Sequence, residues 1–300
     1  MANRAHEVPN TVETQFGIAS AVKGFTALTA MSLISDGALS LDTSVRALLG
    51  DVLELVDPAV TVEHLLAHTS GIGDYLDEDE MGSIDDYVLS VPVHELVTAS
   101  DYLAVLQGHP MRDVPGNKFQ YCNGGYVILA LVIEAAGGGT YHDLLDERVF
   151  EPAGMVSTAF LRSDELPGSA ALGYLHTEGL RTNVLHLPVR GVGDGGAYST
   201  LGDITSFWGA LFAGQIVARH VVQEMVGPRS QGEDERYGLG FWVKNDRDVA
   251  ALEGYDAGVS FRSAFDPQTE ALYTVISNTS NGAWPLAKVL DQEFPEVLGD

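Results

Sequence analysis

Ser20 and Lys23 lie three residues apart in FGIASAVKGFTALTAMSLI, residues 16–34, a stretch that is otherwise almost wholly apolar. Lys23 is one of only four lysines, the others being Lys118, Lys244 and Lys288. On a helix, positions i and i+3 share a face, so the hydroxyl and the amine come within hydrogen-bond reach. A serine hydroxyl is a poor nucleophile until a base takes its proton. A lysine amine is that base only when neutral, and apolar neighbours such as Ile18, Val22 and Phe25 disfavour the ammonium. If Ser20 stands near a helix start, its own N–H points towards a developing oxyanion. The alternative is a lysine whose stem lies along the helix while its head reaches water. The tetrapeptide alone does not choose between the two.

A second group, Tyr121-Cys122-Asn123, stands just ahead of a long apolar run. Asn123 has the chemistry to cap a following helix. It can equally hydrogen-bond Lys23 or a substrate amide. Tyr121 either packs or shuttles a proton. Cys122 is the single cysteine, which excludes an internal disulfide, and it reads as a small core residue. His64 and His68 stand four apart, a spacing compatible with metal, but no third ligand stands out. GDGGAYST, residues 193–200, lacks the Gly-Lys-Ser/Thr ending of a phosphate loop. No Gly-x-Ser-x-Gly elbow occurs, which argues against an α/β-hydrolase.

The elements that must position these groups follow from periodicity and stop signals. Residues 18–36 read as a buried helix ending at Asp36-Gly37. TVEHLLAHTSGI has Thr61 as a candidate N-cap. CNGGYVILALVIEAAGGG reads as a long buried helix stopped by Gly137, Gly138 and Gly139. TYHDLLDERVFEPAGM is amphipathic, and Ser199 or Thr200 stands near the cap of another helix. Late in the chain, YGLGFWVKN, VAALEG, VSFRSAFDP and ALYTVISN read as short strands, and AWPLAKVLDQEF as a closing helix. Helices in the middle and strands late predict an α+β plan.

Composition sets outer limits. The chain has 300 residues, 45% hydrophobic, with a formal net charge of −26. Such an excess of acid argues against nucleic acid and anionic membrane surfaces as partners, since both need basic patches. The DEDE run at 77–80 reads as a solvated surface stretch. The longest apolar run, residues 126–136, is too short to span a bilayer, and no signal peptide is evident in MANRAHEVPN. The expectation is a soluble, cytoplasmic chain, with homo-oligomerisation left open.

Taken together and in order, these segments resemble the serine β-lactamase and penicillin-binding family, on its class C β-lactamase and esterase branch. FGIASAVKGFTA resembles the nucleophile helix, whose Ser-x-x-Lys is a signature of such enzymes. LLAHTSGI (65–72) resembles the Leu-Leu-x-His-Thr-Ser-Gly element, and that comparison gives His64 and His68 structural roles. PGNKFQYCNGGYVILALVIE (115–134) resembles the Tyr-Ser-Asn segment, with Cys122 where the family has Ser. VFEPAGM, GDGGAYSTLGDITSF and YGLGFWV follow in family order.

The resemblance implies an antiparallel sheet flanked by helices, plus a helical part, with the site in the groove between them. The sheet part would take residues 1–50 and 190–300, and the helical part 51–189. It implies acyl-enzyme hydrolysis of a small ester, amide or β-lactam by Ser20, Lys23 and Tyr121, with Asn123 binding substrate and no metal or organic cofactor.

Two departures bear on substrate and fold. The family's third motif, Lys or His followed by a residue and Gly, falls on EGYDAGVSF, 253–261. Tyr255 is expected at the Lys/His place, and Ala257 or Gly258 at the Gly place, with the N–H of Gly258 or a neighbour completing an oxyanion hole. A tyrosine offers no positive charge at neutral pH, which favours neutral esters over carboxylate-bearing substrates. About fifteen residues precede the expected nucleophile helix, where the family has two strands, so either the sheet lacks them or the given start is internal to a longer protein. The rival expectation is a catalytically silent relative that binds a peptide or cell-wall fragment.

Overall fold

Six antiparallel strands run side by side in chain order along one sheet. A computed structural model describes residues 1–77, 82–232, 236–244 and 249–293. The sheet comprises β3 (Ser230–Gln231), β4 (Arg236–Tyr237), β5 (Trp242–Val243), β6 (Ala250–Asp256), β7 (Val259–Asp266) and β8 (Ala271–Ser277). Ahead of it, β1 (Phe16–Gly17) pairs with β2 (Tyr198–Ser199) as a separate two-stranded ribbon. Among the described residues no strand before Ser20 joins the six-stranded sheet.

β7 is buried on both faces, all eight residues of it. One face of the sheet meets the helix α1 (Val22–Ser35), where Gly24 lies so close to Leu252 of β6 that a Cβ there would fall 2.5 Å from a leucine methyl. The other side is covered by the helix Trp284–Glu293, which the closing apolar pattern anticipates. Behind α1 lies the helix Asn123–Gly137, while the helix Leu201–Ala213 packs on the sheet beside α1, its Trp208 indole donating to Ser263 Oγ of β7 at 2.8 Å. The helix Asn123–Gly137 is buried over its first eleven residues, which after Asn123 carry no charged side chain on any face. A single large apolar cluster runs through these helices and into β6 and β7.

The stop and cap signals have physical counterparts. Gly138 takes φ +72° and closes the helix Asn123–Gly137 in the left-handed conformation. The Thr61 hydroxyl caps the helix Val62–Leu66, and the His64 ring accepts from the Thr61 N–H in return. Thr200 caps the helix Leu201–Ala213 by accepting from the Asp203 N–H.

Two expectations change. The stretch from Ser20 is not α-helical at once: Ala19–Ala21 form a 3-10 turn that leads into α1. Asn123 does not cap its helix. The cap is Cys122, whose Sγ accepts from the Gly125 N–H at 3.3 Å. The Asp74 carboxylate takes the Asn123 and Gly124 N–H groups at 2.6 and 2.8 Å. Of the DEDE run, only Asp77 is among the described residues, where it pairs with Arg112. No single helix among the described residues is long and apolar enough to cross a membrane.

Candidate active site

Lys23 is 2% exposed, and its Nζ meets three oxygens: Ser20 Oγ at 2.8 Å, Asn123 Oδ1 at 2.8 Å and the backbone carbonyl of Asp194 at 2.7 Å. Two of these can only accept. As an ammonium Lys23 donates to all three oxygens; a neutral amine, with two hydrogens and one lone pair, would give its hydrogens to Asn123 and Asp194 and leave the lone pair for the Ser20 hydroxyl. That is the hydrogen-bond direction a general base requires.

The backbone delivers Ser20 through a strained turn. Ala19 has φ +45°, a left-handed conformation that costs a non-glycine residue about 1–3 kcal/mol. The surroundings hold it there. The Ile18 N–H donates to the Ala197 carbonyl at 3.0 Å, and Gly195 packs against Ala19, where a Cβ would lie in ordinary contact 3.4 Å from the Ala19 carbonyl carbon. Ser20 follows inside the first turn of the 3-10 segment, where an N–H has no partner within the helix.

The loop carrying Asp194 needs its glycines. A Cβ on Gly193 would lie 2.1 Å from the Tyr126 carbonyl oxygen, and the Thr26 hydroxyl donates to the Gly193 carbonyl at 2.6 Å. The loop is thereby pinned to both α1 and the helix Asn123–Gly137. The Asp194 side chain is buried and accepts from the Tyr75 hydroxyl at 2.5 Å. Burial raises the Asp194 carboxyl above its ordinary range, while Lys23 and the Tyr75 hydroxyl oppose the rise. Neither Asp194 nor Tyr75 was picked out from the sequence. A main-chain acceptor carries no side-chain signature, and only the glycine density of GVGDGG marks the loop.

Asn123 uses both ends of its amide: Oδ1 accepts from Lys23, and Nδ2 donates to the Leu76 carbonyl at 3.0 Å. It orients Lys23. Tyr121 presents its ring to the same amine, with Nζ 4.9 Å from the ring centroid. The opposite support is His68, whose ring lies tilted on Tyr121 at 4.3 Å between centroids. The His68 carbonyl accepts from the Gln120 N–H at 2.8 Å, and its Nδ1 accepts from the Cys122 N–H at 3.1 Å. Burial and the nearby Lys23 hold the His68 imidazole well below its usual pKa, so it is neutral. With Nδ1 accepting, the ring proton sits on Nε2. His64 is one helical turn away in a capping role, and the described residues contain no group of three metal-ligating side chains.

Gly258 does not reach this centre. It occupies the β6–β7 turn with φ +72°, and its N–H donates to Ser280 Oγ at 2.8 Å. Ala257 is buried in the same turn, and its carbonyl accepts from the Asn183 side chain at 2.9 Å. The glycine that the Ala19–Ala21 turn demands is Gly254, where a Cβ would lie 2.0 Å from the Ile18 carbonyl oxygen and 3.2 Å from Ala19 Cβ. The expected register was displaced by the presence of two glycines in one short stretch.

Tyr255 does line the cleft that contains Ser20 and Asn123, and its ring makes an edge contact with Trp284. Its backbone is placed by the sheet. The Lys244 N–H donates to the Val249 carbonyl, and Trp242 pairs with Ala251, so odd-numbered residues of β6 turn their peptide groups to the β5 side. Beyond Ala251 the described part of β5 no longer pairs with β6, and the Ala19–Ala21 turn packs against this end of the strand. The Tyr255 N–H is thus directed away from β7 and towards the side on which the Ala19–Ala21 turn packs.

A family model described as beta-lactamase matches residues 1–294. The chain belongs to the beta-lactamase family. The crystal structure of a penicillin-binding protein from Bacillus halodurans superposes with a TM-score of 0.90 at 37% identity, covering 97% of this chain and 90% of that one. A D-aminopeptidase of Brucella anthropi is 31% identical over 238 residues, 77% of this chain and 43% of that protein. Esterase EstB of Burkholderia gladioli is 30% identical over 173 residues, 55% of this chain and 43% of that protein. The chain spans between 43% and 66% of the length of the curated relatives it matches first. As a beta-lactamase family member it has the expected α+β fold, and the family contains penicillin-binding proteins, amidases and esterases alike.

Proposed function

We propose that the chain is a serine hydrolase that cleaves small neutral esters or amides through an acyl-enzyme on Ser20. The observation that carries this reading is the Lys23 amine, 2.8 Å from the Ser20 hydroxyl and held by two further acceptors. In the first half-reaction the Lys23 lone pair takes the Ser20 proton while Oγ bonds to the substrate carbonyl carbon. The resulting oxyanion is met by the Ser20 and Tyr255 N–H groups, each worth about 10²–10³ in rate. The amine, with Tyr121, passes the proton to the leaving group as the tetrahedral species collapses. In the second half-reaction a water gives its proton through Tyr121 and Lys23, adds to the acyl carbon, and Ser20 leaves with that proton restored. General-base help of this kind is worth typically 10²–10⁴.

Neutral substrates are favoured by charge. The described residues lining the cleft include Asp194 and Asp256 and no lysine or arginine. A substrate carboxylate finds no cation there, and Tyr255 supplies none. The D-aminopeptidase and the esterase among the relatives are consistent with amide and ester chemistry on this fold.

A fluorophosphonate probe followed by peptide mass spectrometry tests the nucleophile. The label is expected on Ser20, and Ser20→Ala is expected to lose both labelling and turnover of p-nitrophenyl butyrate. Undiminished turnover by Ser20→Ala overturns the reading. Tight binding of a D-Ala-D-Ala peptide without any labelling would support the silent, ligand-binding alternative instead.

A further inference from the structure

Asp194 offers two kinds of acceptor and divides them. Its backbone carbonyl takes the Lys23 amine at 2.7 Å, and its carboxylate takes the Tyr75 hydroxyl at 2.5 Å. The carboxyl is close enough to feel the amine: Lys23 opposes the rise that burial imposes on it. That attraction is mutual, so the carboxylate favours the ammonium form of Lys23. An ammonium has three hydrogens and no lone pair to offer Ser20. A carboxylate at this place therefore works against a general base unless it is held elsewhere. Tyr75 is fastened for that task. Its carbonyl accepts from the Tyr87 hydroxyl at 2.5 Å, and its ring packs against the main apolar core. On one side of it, the Asp74 carboxylate takes the Asn123 and Gly124 N–H groups; on the other, the Leu76 carbonyl takes the Asn123 amide. The phenol is thus fixed to the same helix end that orients Lys23.

We propose that Tyr75 is a positioning residue for the general base: its hydroxyl holds the Asp194 carboxylate off the Lys23 amine, which leaves that amine able to give up its proton. The other ionisable groups around the pair do not replace it. Facing Asp194 are Asp74, Tyr102 and Tyr141, a second acid and two phenols that burial keeps protonated. Facing Lys23 are the rings of Tyr121 and Tyr126, the neutral His68 and the Cys122 thiol, which burial pushes up. Lys23 is the one cation in this set, so an Asp194 carboxylate deprived of the phenol turns to it. Burial raises the Tyr75 hydroxyl well above its ordinary range as well, so it remains a donor wherever the amine titrates. This deepens the hydrolase reading and rests on it for the rate, but not for the protonation of Lys23.

The test reads Lys23 directly. The chain has only four lysines, so protein carrying lysine isotopically labelled at Cε gives few NMR signals, and Lys23→Met identifies the one that matters. In Tyr75→Phe the titration midpoint of that signal is expected to rise by about 1–3 pH units, the effect of a carboxylate brought against an amine. Adding Asp194→Asn should bring the midpoint back to the wild-type value or below, because asparagine keeps the backbone carbonyl and carries no charge. The rise of kcat/KM with pH for p-nitrophenyl butyrate should move with it. In Tyr75→Phe it moves to higher pH by the same interval, about tenfold in rate per pH unit on that limb, and in the double variant it moves back. A merely structural Tyr75 would lower the rate alike at every pH and would gain nothing from the second substitution. A midpoint unchanged or lowered in Tyr75→Phe overturns the inference, and so does a double variant whose midpoint stays where Tyr75→Phe put it. The same titrations in a Ser20→Ala background need no turnover. The expected midpoints there, together with undiminished turnover by Ser20→Ala, would uphold the inference and remove the hydrolase reading alone.

Discussion

The amide oxygen of Asn123 stands 2.8 Å from the Nζ of Lys23, across a hundred residues of chain. The same amide donates to the Leu76 carbonyl, so it cannot flip without losing both bonds. Asn123→Ala removes an acceptor that fixes where the Lys23 lone pair points. The expected outcome is a fall in kcat of about 10²–10⁴ for p-nitrophenyl butyrate, comparable to loss of general-base help, with KM changed much less. Steady-state kinetics checks this. Equal kcat in wild type and variant would remove Asn123 from the machinery.

Gly254 lets the strand touch the nucleophile turn. Gly254→Ala places a methyl where the Ile18 carbonyl oxygen stands, and a backbone atom cannot swing aside. Overpacking of this kind costs typically 1–3 kcal/mol. A shift of the oxyanion donors by about 1 Å costs about 10²-fold in rate. Both effects are expected together, the first in urea unfolding and the second in kcat. Gly258→Ala is the comparison: it should cost stability through its positive φ and its close neighbours, with less effect on kcat per unit of stability lost.

His68 positions Tyr121 from behind. It has φ +54°, and its Nδ1 holds the Cys122 N–H. His68→Ala leaves that N–H without its acceptor and puts alanine in a left-handed conformation, a loss of about 1–3 kcal/mol for the orphaned donor alone. His68→Asn keeps an acceptor and tolerates the backbone. Activity per folded molecule should therefore fall strongly in the alanine variant and partly return in the asparagine variant. An alanine variant that folds and turns over normally would separate His68 from the site.

Two buried groups give stability opposite slopes with pH. Burial raises Asp74 to about 6, against the Gly124, Asn123 and Leu76 N–H bonds that lower it. Its folded pKa exceeds the unfolded one, so the native state holds its proton longer. That contribution is full below about pH 4 and is lost as pH rises towards 6, on the order of 3 kcal/mol. His142 is lowered to about 4 by burial, opposed by its bond to the Gly191 carbonyl. Its contribution is full above pH 6.5 and is lost as pH falls towards 4, of similar order. Urea unfolding of Asp74→Asn and His142→Asn from pH 4 to 7 should show difference curves of opposite sign. Parallel curves would show that one of the two groups does not titrate where stated.

The sequence alone carried the parts of the site that are local. Ser20 and Lys23 meet because three residues of helical chain fix their spacing, and the apolar stretch around them fixes their burial. The long helix, its glycine stop and the late strands were legible for the same reason: period, cap and stop signals act within a few residues. Tertiary structure decided what lies between distant segments. It set the Asp194 carbonyl on Lys23, because any residue supplies a carbonyl and only the path of a glycine loop aims it. It chose Gly254 over Gly258, because only the pairing of β6 with β7 puts residue 254 in the strand beside the Ala19–Ala21 turn and residue 258 in the turn that follows. It gave the helix cap to Cys122 and Asp74 and freed Asn123 for Lys23, since a cap depends on the angle of entry rather than on residue type.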